Sequence, residues 1–349
     1  MRTLSGGFAI VRRTAGALGL VVLTGWVAAA WTDIHSAERA VPEFRVSDMA
    51  ERHDPRPDAA IIGSSVVRHH FRTDVLDSLT GMTWHNLGIS ASFAPESYAL
   101  AEAFLNSEAA DGNELLVVDI TPFEAPHWEN AKSLRRTWYM SWGEWWRCLG
   151  MLDWAGAPLE SLERATLFST GRITRFVDGF RPEALNRWSR GAHPDAIQGW
   201  VPLDTTAERY DALKWSRSRF LERPREWLEQ LRATESDFDF RAGQNPPVVS
   251  GWTCPRRELD YHLAKMEDLR ERAEARGIRC VFLFQMLWGT NGCLYFEAVE
   301  KWGDRDVLEL MGTPEEVLRL RQHQYDDVHL TPSGARVVSS LLARKLMAP

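Results

Sequence analysis

The sequence predicts an α/β fold in which a parallel β-sheet lies between two layers of helices. Short apolar runs of strand length recur along the chain, and amphipathic segments of helical period separate them. Strands that alternate with helices form parallel sheets covered on both faces. The length of 349 residues allows one large domain or two small ones, and the hydrophobic content of 44% is ordinary for a globular protein.

The N-terminal segment 1–35 predicts a membrane anchor. Residues 14–31 carry no charge and would extend about 27 Å as a helix, close to the thickness of a bilayer core. Three arginines precede this run, so the positive-inside rule places the N-terminus in the cytoplasm and the C-terminal domain in the periplasm or outside the cell. A cleaved signal peptide is the alternative, because alanines at 28–30 resemble a cleavage site. A cytoplasmic-facing protein without a true anchor is the weakest reading.

The first elements follow a polar, proline-containing segment, 36–57, which predicts a linker. In the domain of residues 58–349, the apolar run 59–62 meets Gly63, as expected of a buried strand that reaches its loop. Glycine permits a sharp turn there. A helix or irregular turn should cover 66–79, and a second strand should end at Gly88.

The next predicted elements lie between the second strand and residue 120. Pro95 favours a helix start, and apolar residues continue at helical spacing to Phe104. The continuous apolar run 115–120 is typical of a strand buried on both faces. These elements extend the alternation of strand and helix.

The segment 124–250 differs from its surroundings, because strand signals become rare and eleven of the sixteen tryptophans lie between Trp128 and Trp252. We interpret it as a mostly helical, Trp-rich insertion. Apolar periodicity favours a cap packed on the core. A lid or substrate platform is the functional alternative, and an aromatic surface resting on the membrane is a third.

The strand and helix pattern resumes in the last part of the chain. An apolar stripe over 259–269 predicts a helix, and Gly277 should end it at the C′ position. Strand 278–284 and a short edge strand over 306–310 follow. A final helix over 332–346 can pack on the sheet.

Composition excludes several classes of function. The net charge of −7 and the absence of a basic patch argue against a nucleic-acid partner. The four cysteines show no Cys-x-x-Cys spacing, so no metal site is expected. The sequence also lacks a glycine-rich phosphate-loop motif, so no cofactor is expected. An exported domain could contain a disulfide, either Cys148 with Cys254 or Cys254 with Cys293, whereas Cys280 should be a buried free thiol.

The residues that carry chemistry lie near the two ends of the domain. Ser65 follows the first predicted strand, where open α/β sheets bind their ligands. A serine nucleophile needs a base and an orienting group, and Asp326 and His329 supply both just before the last helix. Asp327 is the alternative orienting residue. The structural alternative is that Ser64 and Ser65 only cap a helix.

These motifs resemble the blocks of the SGNH/GDSL hydrolases, and most closely the membrane-anchored Gly-Ser-Ser members associated with cell-envelope polymers. Gly-Ser-Ser at 63–65 is similar to the first block, Asn-Leu-Gly at 86–88 to the second, and Asp-x-x-His at 326–329 to the last. The resemblance covers roughly 59–123 and 256–347. It implies a three-layer, flavodoxin-like sandwich.

The resemblance also implies an activity: a serine esterase or O-acyltransferase acting on acyl esters, acetyl above all, of an envelope or extracellular polysaccharide. The amides of Ser65 and Gly88 would hold the oxyanion. Asn86 is a further candidate for substrate binding. Asp119 lies at a strand end that faces the site, where it would either orient the substrate or only cap the following turn. The expected partners are an acylated carbohydrate or other ester substrate, the membrane, and a membrane-bound acyltransferase.

His69 and His70 lie close to Ser65 in the sequence, but a helix there would point them away from it. Both are expected to be surface or packing residues.

One departure from the family pattern motivates a second hypothesis. The family's third block usually contains Gly-x-Asn-Asp, whereas the matching strand end here reads Val-Val-Asp-Ile-Thr at 117–121. The missing asparagine is an oxyanion donor in the family. The alternative function is therefore a non-catalytic binding or assembly subunit of an envelope polysaccharide system.

Overall fold

The computed structural model describes residues 56–89, 94–120, 256–286, 290–311 and 329–348, with residues 323 and 325 and parts of 146–169. The chain divides into two compact units, Met1–Arg45 with His127–Gly191 and Val46–Pro126 with Ala192–Pro349. The elements below belong to the second unit. The predicted anchor and most of the predicted insertion lie outside the described residues. Within the described ranges, no helix has both the length and the apolar character needed to cross a bilayer.

Five parallel strands form one sheet, in the order β2-β1-β3-β4-β5. Parallel pairing requires crossover connections, so the α/β class predicted from the alternating pattern is confirmed for this part of the chain. The strands are β1 Ala59–Gly63, β2 Trp84–Gly88, β3 Leu115–Asp119, β4 Arg279–Met286 and β5 Val307–Met311.

Six α-helices connect or flank these strands: α1 Ser65–His70, α2 Thr73–Thr80, α3 Ala94–Leu105, α4 Arg256–Glu274, α5 Thr290–Trp302 and α6 Pro332–Leu346. The segment predicted as a helix or irregular turn over 66–79 forms two helices, because Phe71 is extended between them. Helix α5 was not predicted; its first turn contains Gly292, which lowers helix propensity.

The end of α4 confirms the predicted role of Gly277. Its φ of 74° lies in the left-handed region, where glycine is favoured. The Ile278 amide donates to the Ala273 carbonyl and the Gly277 amide to Glu274, which is the bond pattern of a Schellman cap. The turn delivers the chain directly into β4.

One face of the sheet packs against α1, α2 and α6. The cluster includes alternate residues of four strands and apolar side chains of all three helices, among them Val67, Leu76 and Val338. Near the carboxyl ends of β2, β3 and β4 this face carries polar residues, Asn86, Asp119 and Gln285, which belong to the site described below.

The other face packs against α3, α4 and α5. Cys280 lies there as a buried free thiol, as predicted, and burial raises its pKa so that it stays protonated. The cysteine side chains of the two predicted disulfides, those of Cys148, Cys254 and Cys293, lie outside the described residues. Helices α3 and α4 are joined by a buried Tyr98–His262 pair, with 2.7 Å between the Tyr98 hydroxyl and His262 Nδ1.

The buried His262 should make the stability of the protein depend on pH. Burial lowers its pKa from 6.5 to about 3, so the folded protein keeps this imidazole neutral where the unfolded chain protonates it. The contribution is complete above about pH 6.5 and is lost toward pH 3, by about 1.4 kcal/mol per unit.

Urea titrations between pH 7 and pH 4.5 check this expectation. The variant His262→Gln has a side chain that can bond Tyr98 but does not titrate, so its free energy of unfolding should fall less steeply with acid than that of the wild type. Equal slopes would contradict the assignment.

Candidate functional site

Ser65 is presented by the first helical turn after β1. Ser64 is the N-cap of α1, and its hydroxyl accepts a hydrogen bond from the Val66 amide at 3.2 Å. The buried Ser64 therefore caps the helix, and the half-buried Ser65 occupies the first helical position. In a sheet of order 2-1-3-4-5, the chain changes direction between β1 and β3, where such folds bind ligands.

His329 reaches this position from the opposite end of the domain. Its Nε2 lies 3.0 Å from the Ser65 hydroxyl, although the two residues are 264 positions apart. The sequence predicted hydrogen-bond reach between them, and the observed distance agrees. His329 immediately precedes Leu330, whose side chain is buried in the core next to α6.

Backbone hydrogen bonds close the segment that carries His329. The Tyr325 amide donates to the His329 carbonyl at 2.8 Å, and the Thr331 amide donates to the His323 carbonyl at 2.7 Å. Thr331 then caps α6. The predicted orienting residue Asp326 and its alternative Asp327 lie outside the described residues.

Asn86 is used to hold α1 against the sheet. Its amide nitrogen donates at 2.8 Å to the carbonyls of both Val67 and Phe71, and its oxygen accepts the Gly88 amide at 2.9 Å. The Asn86 side chain is buried, with 1% of its surface exposed. The Gly88 amide hydrogen would therefore serve an oxyanion only if this internal bond were exchanged.

The two glycines at the strand ends are required by close packing. A Cβ atom on Gly63 would lie 2.7 Å from Asp119 Cβ and 2.4 Å from a Val67 methyl group. A Cβ on Gly88 would lie 2.3 Å from the Arg68 backbone nitrogen. The described glycines with positive φ do not include Gly63, so the turn there needs a small residue rather than an unusual backbone angle.

A buried hydrogen-bond network runs beside the Ser65–His329 pair. Gln285 Nε2 donates to Asp119 Oδ1 at 2.9 Å, and Gln285 Oε1 lies 3.1 Å from His70 Nδ1. The Leu330 amide donates to His70 Nε2 at 3.1 Å. The predicted substrate residue Asp119 is thus 1% exposed and bonded to another side chain of the site.

Two histidines of α1 belong to this site. The sequence predicted both to be surface or packing residues. His69 and His70 are buried, with 3% and 2% exposed. The rings of His69 and His329 meet edge to face, with centroids 5.7 Å apart. Helix α1 packs against both β2 and α6, and the side chains of both histidines are buried.

Gln285 was missed entirely. It lies near the carboxyl end of the strand Arg279–Met286, after a run of five apolar residues, and a polar side chain at that place in a parallel sheet lies at the ligand edge. That position was the available signal in the sequence.

The arrangement can activate a hydroxyl group for attack on a carbonyl carbon. When His329 Nε2 is unprotonated, it can accept the Ser65 proton across the observed 3.0 Å. The Ser65 amide, at the first position of a helix, has no intrahelical partner and is available in principle to a developing oxyanion.

No family model and no curated protein matches this chain. The assignment of a function therefore depends on the geometry of the site and on the motifs of the sequence.

Proposed function

We propose that this protein is an exported, membrane-anchored serine esterase or O-acyltransferase of the SGNH type. Its substrates would be acyl esters, acetyl above all, of an envelope or extracellular polysaccharide. The observation that carries the proposal is the 3.0 Å separation of Ser65 Oγ and His329 Nε2, contributed by opposite ends of the domain. A partly exposed serine bonded to an imidazole at the ligand edge of the sheet is the minimal apparatus for nucleophilic catalysis.

The reaction would proceed through an acyl-enzyme. His329 accepts the hydroxyl proton as Ser65 Oγ bonds to the ester carbon, and the carbonyl oxygen becomes an oxyanion. When the carbon–oxygen bond to the alcohol breaks, His329 returns the proton to the leaving oxygen. Water or an acceptor hydroxyl then attacks the acyl-serine with the same base. Asp326 would orient the imidazole and stabilise its charged form.

The choice of substrate and compartment comes from the sequence. The uncharged segment 14–31 supports export and anchoring. The resemblance to envelope-associated SGNH proteins supports a polysaccharide ester and a membrane-bound acyltransferase as donor partner. The Trp-rich insertion would decide between hydrolysis and transfer if it excludes water from the acyl-enzyme.

Labelling with a fluorophosphonate probe tests the proposal. We expect the wild type to be labelled covalently and Ser65→Ala to remain unlabelled, because the probe bonds only to an activated serine. Ser64→Ala is the matched control: it removes the neighbouring hydroxyl and a helix cap worth about 1 kcal/mol but keeps the nucleophile. Labelling of Ser65→Ala at the wild-type rate would contradict the proposal.

A non-catalytic binding or assembly subunit is the second candidate. Two observations favour it: the Gly88 amide is already bonded to Asn86, and Asp119 occupies the strand end where the family has an asparagine donor. A folded wild type that binds the polysaccharide but is not labelled by the probe would support this function over the first.

A further inference from the structure

We propose that His70 is a positioning residue for His329, held by Asp119 and Gln285 and acting through the backbone of Leu330. The inference rests on the proposed function, because it assigns His329 the part of the base. It adds three buried side chains, which the triad does not include, to the apparatus that sets the Ser65–His329 distance.

The direction of each hydrogen bond in the network follows from the Leu330 amide. An N–H group can only donate, so His70 Nε2 must accept at 3.1 Å and is unprotonated. The remaining proton of the neutral ring lies on Nδ1, which donates to Gln285 Oε1. Gln285 then directs its amino group to the Asp119 carboxylate. The tautomer of His70 and the orientation of Gln285 are therefore both determined.

The network holds one end of the peptide group that follows His329, and the local loop holds the other. The His329 carbonyl accepts the Tyr325 amide at 2.8 Å, and the Leu330 nitrogen of the same peptide donates to His70. A peptide group is planar, so bonds at both ends fix its orientation. The Cα of His329, which belongs to this planar group, is thereby held in place.

Helix α1 links His70, which holds the peptide after His329, to the nucleophile Ser65. Ser65 is the first and His70 the last residue of this six-residue helix. The segment after His70 is also tied to α6, because the Ser339 hydroxyl accepts the Arg72 amide at 2.8 Å. The proton of that hydroxyl is shared between the carbonyls of Ala335 at 2.7 Å and His70 at 3.3 Å. One short helix thus carries the attacking oxygen and the group that anchors the base.

Because the network is buried, water cannot readily take over its hydrogen bonds. Asp119, Gln285, His70 and Leu330 are each at most 5% exposed. Loss of the His70 ring nitrogens would leave the Leu330 amide and the Gln285 oxygen without their bonds in a place that bulk water does not reach. The His329 peptide would then be free to rotate away from Ser65.

The test compares His70→Phe, which keeps the ring shape without nitrogens, with His262→Phe, a matched loss of a buried histidine on the other face of the sheet. With p-nitrophenyl acetate as substrate, we expect His70→Phe to lower kcat per folded molecule by about ten- to a hundred-fold and to leave KM unchanged. His262→Phe should keep the wild-type kcat. His70→Gln, whose oxygen can accept the Leu330 amide, should recover part of the rate.

A purely structural role for His70 predicts a different result: a lower melting temperature with a wild-type kcat in the molecules that remain folded. That result would overturn the inference. An equal loss of kcat in both phenylalanine variants would overturn it as well.

The proposed function can fail separately, if the wild type neither turns over ester nor reacts with the probe. The NMR signal of the His329 imidazole, recorded at one fixed pH, then still tests the positioning, with the signal identified by its absence in His329→Gln. We expect His70→Phe, but not His262→Phe, to change the chemical shift of that signal. An unchanged His329 signal in His70→Phe would overturn the inference whether or not the protein is an enzyme.

Discussion

Replacement of His329 by alanine should lower kcat for ester hydrolysis by about a hundred- to ten-thousand-fold, the contribution of a positioned general base. The reason is geometric: His329 Nε2 lies 3.0 Å from the Ser65 hydroxyl. At neutral pH an unassisted serine hydroxyl is a weak nucleophile. Initial rates with p-nitrophenyl acetate, measured on protein shown to be folded by circular dichroism, provide the measurement.

His323→Ala is the control for this experiment. His323 lies in the same part of the chain, but its ring contacts the Ser333 hydroxyl at 3.0 Å rather than Ser65. Its backbone carbonyl, which holds Thr331, is retained in the variant. We expect a kcat close to that of the wild type. If His323→Ala and His329→Ala lost activity equally, the loop rather than the imidazole would be responsible.

The double variant Ser65→Ala/His329→Ala adds a second criterion. Residues that act as one catalytic unit give losses that do not add, so the double variant should be no slower than Ser65→Ala alone. Additive losses would mean that the two side chains act independently, and the mechanism proposed for them would be wrong.

The parallel sheet could be predicted from the sequence because its strands are short, mostly apolar runs separated by segments of helical period, and the first three end at Gly63, Gly88 and Asp119. The convergence of Ser65 and His329 could also be predicted, since Ser65 follows the carboxyl end of β1 and His329 precedes the amino end of α6. Chain order and strand direction are sufficient for such placement. They define which edge of the sheet a residue occupies, and the described strands agree with that expectation.

The hydrogen bonds beneath that edge could not be predicted, because they depend on the rotation of a single short helix. Periodicity over six residues does not show which side of α1 is buried, so His70 was treated as a surface or packing residue. Gln285 contacts His70 across 215 positions of sequence. Pairings of that kind are set by tertiary packing, and no local pattern encodes them. A glycine was expected at residue 63 for a sharp turn, but the structure requires it because the side chains of Val67 and Asp119 lie too close for a Cβ.

Gly88→Ala should have the largest effect on stability of the substitutions considered. The added Cβ would lie 2.3 Å from the Arg68 nitrogen and 2.7 Å from its Cα, so the obstacle is the backbone of α1 and no side chain can rotate away. Overpacking of this kind costs about 1–3 kcal/mol where side chains can adjust, and more where they cannot. We therefore expect the free energy of unfolding to fall by about 3 kcal/mol or more.

The mechanism of this loss can be separated from ordinary backbone strain by comparison with Gly81→Ala. Gly81 has a φ of 74° and no heavy atom within 4 Å of an added Cβ, so alanine there costs only the left-handed conformation, about 1–2 kcal/mol. Urea denaturation of both variants gives the two values. Because Asn86 bonds the carbonyls of Val67 in α1 and of Phe71 just after it, a displaced helix would also carry Ser65 away from His329. Gly88→Ala should accordingly slow fluorophosphonate labelling, whereas Gly81→Ala should not; equal losses of stability and equal labelling rates would show that α1 does not depend on this contact.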